Sequence, residues 1–155
     1  MLSTLEKILF IQQISLFKNL SASELSILAQ KAAEVGFSKG QTVFRQGEPG
    51  DSLYIILGGK VRVIKELEKE RKTVAILEEK NCFGEMAILS DEEERTATIE
   101  AADTLTLLKI KKADFHELIL QEPEMAFEIF DILIDRLRDA TEMSVKQTAG
   151  PKANE

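Results

Sequence analysis

Much of what catalytic and membrane proteins rely on is missing from this sequence. Its 155 residues hold one cysteine (Cys82), one histidine (His116) and no tryptophan. A single cysteine excludes an internal disulfide and makes a reducing, cytoplasmic setting the default expectation. A single histidine cannot supply the imidazoles of a multi-histidine metal site within one chain, which excludes a cupin-type metalloenzyme. A Ser-His-Asp or Cys-His arrangement would have to use His116, which lies in an amphipathic run (residues 111–122) and reads as a solvated helical side chain. The longest strongly apolar run, residues 53–57, is far short of the ~20 residues of a membrane helix. The N-terminus lacks the charged-then-apolar plan of a secretory signal, so no direct membrane insertion is expected. Basic excess is absent as well. With 27 acidic and 20 basic side chains the net charge is -7 at pH 7, which disfavours nucleic acid and anionic lipid surfaces. Carboxylate-based catalysis stays open with 27 acidic residues, but their abundance is no evidence of pairing. The chain reads as a binding protein, not an enzyme, with no cofactor or metal.

Hydrophobic residues make up 44% of the sequence and charged ones 30%, the balance of an ordinary globular protein. The pattern reads as one domain over residues 1–141, followed by a disordered tail over 142–155. Residues 3–33 are helical in period. Ser3 with Glu6 and Ser21 with Glu24 have the capping-box spacing. From 34 to 110 the rhythm shortens to segments near period two, at 42–45, 52–57, 60–65, 72–77, 96–100 and 104–110, separated by turn residues. Many short strands at near-regular spacing predict a closed or double-sheet β structure. Helical period returns over 111–141. Its last part, from Pro123, carries a broad apolar stripe of Ala126, Ile129, Phe130, Leu133, Leu137 and Ala140. Phe127 and Ile134 fall off that stripe and mark a candidate dimer or partner face.

Two stretches could carry chemistry. Gly47-Glu48-Pro49-Gly50-Asp51 and Gly58-Gly59 flank an apolar strand and can be tight β corners. The second stretch is Phe83-Gly84-Glu85-Met86-Ala87-Ile88-Leu89-Ser90, followed by an acidic run (91–94) and Arg95-Thr96-Ala97-Thr98. A one-turn helix after Gly84 would point free backbone N–H groups at one spot, as an anion site requires. Arg95 could add a permanently charged, bidentate partner, and Glu85 could accept hydrogen bonds from a sugar hydroxyl. Those are the parts of a nucleotide site. An arginine–glutamate structural pair is an equally available reading of the same residues.

These two stretches, GEPGDSLYIILGGKVRV at 47–63 and FGEMAILSDEEERTAT at 83–98, resemble the fingerprints of the cyclic-nucleotide-binding domain family. That family includes catabolite activator protein, protein kinase A regulatory subunits and cyclic-nucleotide-gated channels. The resemblance extends over roughly residues 16–138. It implies a mainly β fold with flanking helices: a double-stranded β-helix (jelly-roll) barrel with N-terminal helices, a short phosphate-cassette helix and C-terminal lid helices. It also implies site residues. Glu85 would accept from the ribose 2′-hydroxyl and Arg95 would pair with the cyclic phosphate. Gly84, Met86 and Ala87 would line the pocket, Thr96 would sit near phosphate and base, and Val63 and Val74 would wall the purine. Two departures stand out, Glu94 where the family often has proline and the acidic run beside a site for an anion.

The expected function is a regulatory domain that binds cyclic AMP, more than cyclic GMP, without altering it. It would signal through its C-terminal helix to an effector domain or protein, in cis or in trans. The alternative is an interaction module of the same fold with no ligand. Fourteen residues after Thr141 are too few for a helix-turn-helix, so no DNA contact is expected from them.

Overall fold

The computed structural model describes residues 1–85 and 94–153. The chain begins with α1 (Thr4–Gln12), a 3-10 turn (Ser15–Phe17) and α2 (Ala22–Lys31). The two helix starts differ. At α2 the box is complete: Glu24 N–H donates to the Ser21 hydroxyl at 3.1 Å and Ser21 N–H donates to the Glu24 carboxylate at 2.8 Å. At α1 only the first half forms. Glu6 N–H donates to the Ser3 hydroxyl at 3.2 Å, and the Glu6 carboxylate accepts from that hydroxyl rather than from the backbone.

Eight strands follow among the described residues: β1 (Ala33–Phe37), β2 (Thr42–Phe44), β3 (Ser52–Gly58), β4 (Lys60–Glu66), β5 (Arg71–Glu78), β6 (Cys82–Phe83), β7 (Thr98–Ala101) and β8 (Leu105–Lys111). They form two antiparallel sheets in the orders β1-β8-β3-β6 and β2-β7-β4-β5. This is the mainly β, jelly-roll architecture expected from the sequence. Gly59, between β3 and β4, has φ +92°, and a Cβ there would lie 2.2 Å from the Thr104 carbonyl oxygen. That corner therefore admits only glycine.

Strand β3 is buried on both faces, and this organises the interior. Leu53 and Ile55 join Leu108 and Ile110 of β8 in a cluster with Leu16, Phe17, Leu28, Phe115, Met125 and Ile129 from the helical segments. Tyr54 and Ile56 turn the other way, into the space between the sheets, with Val61, Phe83, Ile99 and Leu107. Each fully buried Leu or Ile contributes ~1.5–3 kcal/mol, so both sides of one strand carry stability.

The chain closes with α3 (Lys112–Gln121) and a long α4 (Glu124–Ala153). Two sequence expectations are corrected here. The helix continues through residues 142–153, where a frayed tail was predicted; residues 154 and 155 lie outside the described residues. Met, Lys and Gln are good helix formers with or without an apolar stripe. The stripe on α4 is also narrower than its sequence suggested. Met125, Ile129 and Ile132 are buried, at i, i+4 and i+7, while Phe130 is 53% and Leu137 68% exposed. Phe127 and Phe130 instead pack edge-on to each other at 6.2 Å.

Candidate functional site

The two glycine-bearing stretches meet at Arg95. Its backbone is stapled to the first of them: Arg95 N–H donates to the Glu48 carbonyl and Gly47 N–H donates to the Arg95 carbonyl, both at 2.8 Å. Glu94 pairs with Pro49 in the same short bridge. The staple sends the Arg95 side chain inward, where only 6% of the residue stays exposed. There Nη2 donates to the Ser52 carbonyl at 2.9 Å and Nη1 to the Gly84 carbonyl at 3.3 Å. The guanidinium carbon sits 4.0 Å from the centre of the Phe44 ring and 5.9 Å from that of Tyr54. Gly84 has φ +83°, and a Cβ on it would come within 2.8 Å of Nη1 and 3.0 Å of the Ser52 carbonyl. Glycine is required at 84 by the cradle as well as by the backbone.

The electrostatics are those of a buried cation. Desolvation pushes the Arg95 guanidinium below its ordinary range, opposed by the attraction of Tyr54, Asp51 and Glu48. Arginine starts so far above neutrality that it stays charged. Burial likewise pushes the Tyr54 hydroxyl up, partly offset by Arg95. Among the described residues no ion pair involves Arg95, and none joins it to Glu85. Among the described residues, then, the arginine–glutamate structural pair left open by the sequence is not formed. Arg95 Nε is buried without a hydrogen-bond partner.

Beside this cation lies a cavity of about 290 Å³, at the lower end of the roughly 300–1,000 Å³ of small-molecule pockets. Gly84, Glu85, Arg95 and Thr96 line it together with Val63, so the fold brings five of the eight sequence-predicted residues to one place. Met86 and Ala87 lie outside the described residues, as do the expected cassette helix and acids 91–93. Glu94, the last acid of the run, is exposed. Val74 is not among the lining residues and is 49% exposed. The pairing of β4 with β5 slips between Val63↔Ala75 and Ile64↔Thr73, which leaves Val74 as the extra residue of a bulge. Leu77, two residues beyond Ala75 and opposite Val61, supplies the wall instead. The Lys65 ammonium donates to the Thr96 carbonyl and ties the segment after Arg95 to β4.

Phe44, Ser52 and Tyr54 escaped the sequence reading as parts of the site. Ser52 acts through its carbonyl, which no side-chain identity announces. Only nine residues are Phe or Tyr, and the meeting of Phe44, Tyr54 and Phe83 depends on pairing across both sheets. The available signal was an arginine expected indoors, since a buried guanidinium needs carbonyls and flat faces around it.

Chemically, the arrangement offers a desolvated cation, an acceptor carboxylate and apolar walls. Among the described residues no cluster of three or more His, Cys, Asp or Glu could hold a metal ion. No helix among them is long and apolar enough to cross a membrane.

The chain is 33% identical over 126 residues to the Cyclic AMP receptor protein of Thermus thermophilus, covering 81% of this chain and 58% of that protein. It is 32% identical over 112 residues to a cGMP-dependent protein kinase of Caenorhabditis briggsae, covering 71% of this chain and 15% of the kinase. The chain thus spans little more than half of the first relative and a small part of the second. Among solved structures, the N-terminal domain of a transcriptional regulator from Streptomyces coelicolor A3(2) matches with TM-score 0.75 at 27% identity, over 86% of this chain and 93% of that one. Residues 34–122, more than half of the chain and including Gly84, Glu85 and Arg95, match the Cyclic nucleotide-binding domain family. The chain belongs to that family and has its regulatory-domain fold.

Proposed function

We propose that this chain is a non-catalytic cytoplasmic sensor whose cavity takes a cyclic nucleotide, cyclic AMP in preference to cyclic GMP. Arg95 pairs with the cyclic phosphate, Glu85 accepts from the ribose 2′-hydroxyl, and Gly84, Met86, Ala87 and Thr96 complete the polar end. Val63 and Leu77 flank the purine. The observation that carries this reading is a buried guanidinium at a cavity wall with no ion pair among the described residues. A desolvated cation of this kind is held ready for an anion, and a charge-assisted bond formed there is strong. The preference for cyclic AMP draws on the broader match to the cyclic AMP receptor protein than to the cyclic GMP-dependent kinase.

Output passes through α4. Its first turns are anchored by Met125, Ile129 and Ile132 in the helix-side core, while Phe127, Phe130, Ile134 and Leu137 face outward. That outward face is the surface for a second copy or an effector, in cis or in trans. A ligand moves the helix only by its difference in affinity for the two helix positions.

The test is calorimetric titration with cyclic AMP and with cyclic GMP, repeated on Arg95→Ala. The expected result is micromolar or tighter binding, weakened ~30-fold or more in the variant, from a loss of ~2 kcal/mol when one partner of a buried charge pair is removed. One observation favours a second reading: both Nη groups already donate to carbonyls. Silence with both nucleotides at millimolar concentration would overturn the sensor reading and favour that second one, a ligand-free interaction module.

A further inference from the structure

We infer that Phe44 is a positioning residue that sets anion affinity by holding the Arg95 guanidinium flat in its cradle; as a statement about affinity this rests on the reading just given. The guanidinium is held from two sides. Its Nη groups donate to the carbonyls of Ser52 and Gly84, and its central carbon lies over the Phe44 ring, 4.0 Å from the ring centre. Phe44 is itself braced, with ring centres 5.9 Å from Tyr54 and 5.8 Å from Phe83, and those two rings stack on each other at 5.3 Å and 14°. The wedge leaves the cation little freedom to tilt.

Tilt matters because arginine bonds anions with in-plane N–H groups. Two of the Arg95 donors are under-used: Nη1, whose bond to Gly84 is long at 3.3 Å, and Nε, which has no partner. A ring against the face keeps the plane fixed while leaving those donors unspent. A carboxylate in place of Phe44 would hold the guanidinium by consuming them. An aromatic face is thus a way to bury an arginine without satisfying it, and the ring quadrupole offsets part of the desolvation of the charge.

The test uses Phe44→Leu, which keeps an apolar side chain but removes the ring face, and Phe44→Tyr, which restores it. Cyclic nucleotide binding to Phe44→Leu should weaken about tenfold (~1.4 kcal/mol), with Phe44→Tyr close to the wild type. The effect should disappear in an Arg95→Ala background, because coupled residues are non-additive. A ligand-independent readout separates this inference from the reading it rests on. The Arg95 Nε–H signal in a 15N spectrum, assigned by its loss in Arg95→Ala, should be ring-current shifted and slowly exchanging in the unliganded wild type, and should move to the free-arginine position in Phe44→Leu. If the wild type binds neither nucleotide while that shift is present, the sensor reading fails and the stacking stands. An unshifted wild-type signal overturns the inference, as does equal affinity in Phe44→Leu. If Phe44→Leu does not fold, Phe44→Met supplies the same comparison.

Discussion

The two sides of β3 are built for different ends. On the helix side Leu53 and Ile55 meet a cluster of aliphatic residues and Phe17 and Phe115, whose rings lie 6.1 Å apart. On the barrel side Tyr54 lies 5.9 Å from a buried cation, which lines a cavity together with a positive-φ glycine. Close packing without charge is what stability asks of an interior. A cation short of partners, kept next to free volume, lowers stability and, on the function proposed above, makes a binding site. The same strand supplies both, so the firm side holds the strained side in register.

The most forceful way to break this contrast is on the firm side. Phe115→Ala should cost about 3–5 kcal/mol, as large-to-small changes of fully buried aromatics do, a substantial share of the roughly 5–15 kcal/mol of a typical domain. Urea denaturation measures it, and nucleotide affinity of the folded protein should stay within about twofold. An affinity that collapses together with stability would show that the two sides are not separable. On the strained side the pattern inverts. Gly84→Ala forces a side chain into left-handed backbone and against Nη1, at about 1–3 kcal/mol, yet it should reduce nucleotide affinity more than tenfold by calorimetry.

The smallest effect sharpens the comparison, because the helix side is not wholly free of charge. Glu128 of α4 has its carboxyl pushed above the usual range, chiefly by burial and then by the neighbouring Glu24 and Glu124. One of its oxygens is buried without a hydrogen-bond partner. A carboxyl that holds its proton more tightly when folded contributes stability that is fully present below the unfolded value, and that is lost as pH rises through the folded one. Glu128→Gln should therefore raise the melting temperature slightly at pH 8, leave it nearly unchanged at pH 4.5, and flatten the slope between. A variant with an unaltered slope would place the titration elsewhere.

Most of the barrel was legible because strand alternation and turn chemistry are local. The strands over 42–110 fell close to their predicted spans, whereas β1 and β6 were not picked out. β1 is only half-buried and contains Gly36, and β6 is two residues long, defined by pairing with Tyr54 and Ile55 rather than by any pattern of its own. In the site, Arg95 and Glu85 were picked out by their charge and by the family resemblance, and both line the cavity. Val74 was misjudged because a bulge is a matter of register, and register is decided by the partner strand. Ser52 was invisible because its contribution is a peptide oxygen.

That oxygen limits the guests the pocket can accept. An anion that drew both Nη groups onto itself would leave the Ser52 carbonyl stranded in the interior, a penalty of about 1–3 kcal/mol. An anion that shares the cation leaves the carbonyl satisfied. A phosphodiester, carrying one negative charge, asks less of the guanidinium than a terminal phosphate carrying nearly two, so on the sensor reading proposed above the protein's own backbone would discriminate by charge before any base is read.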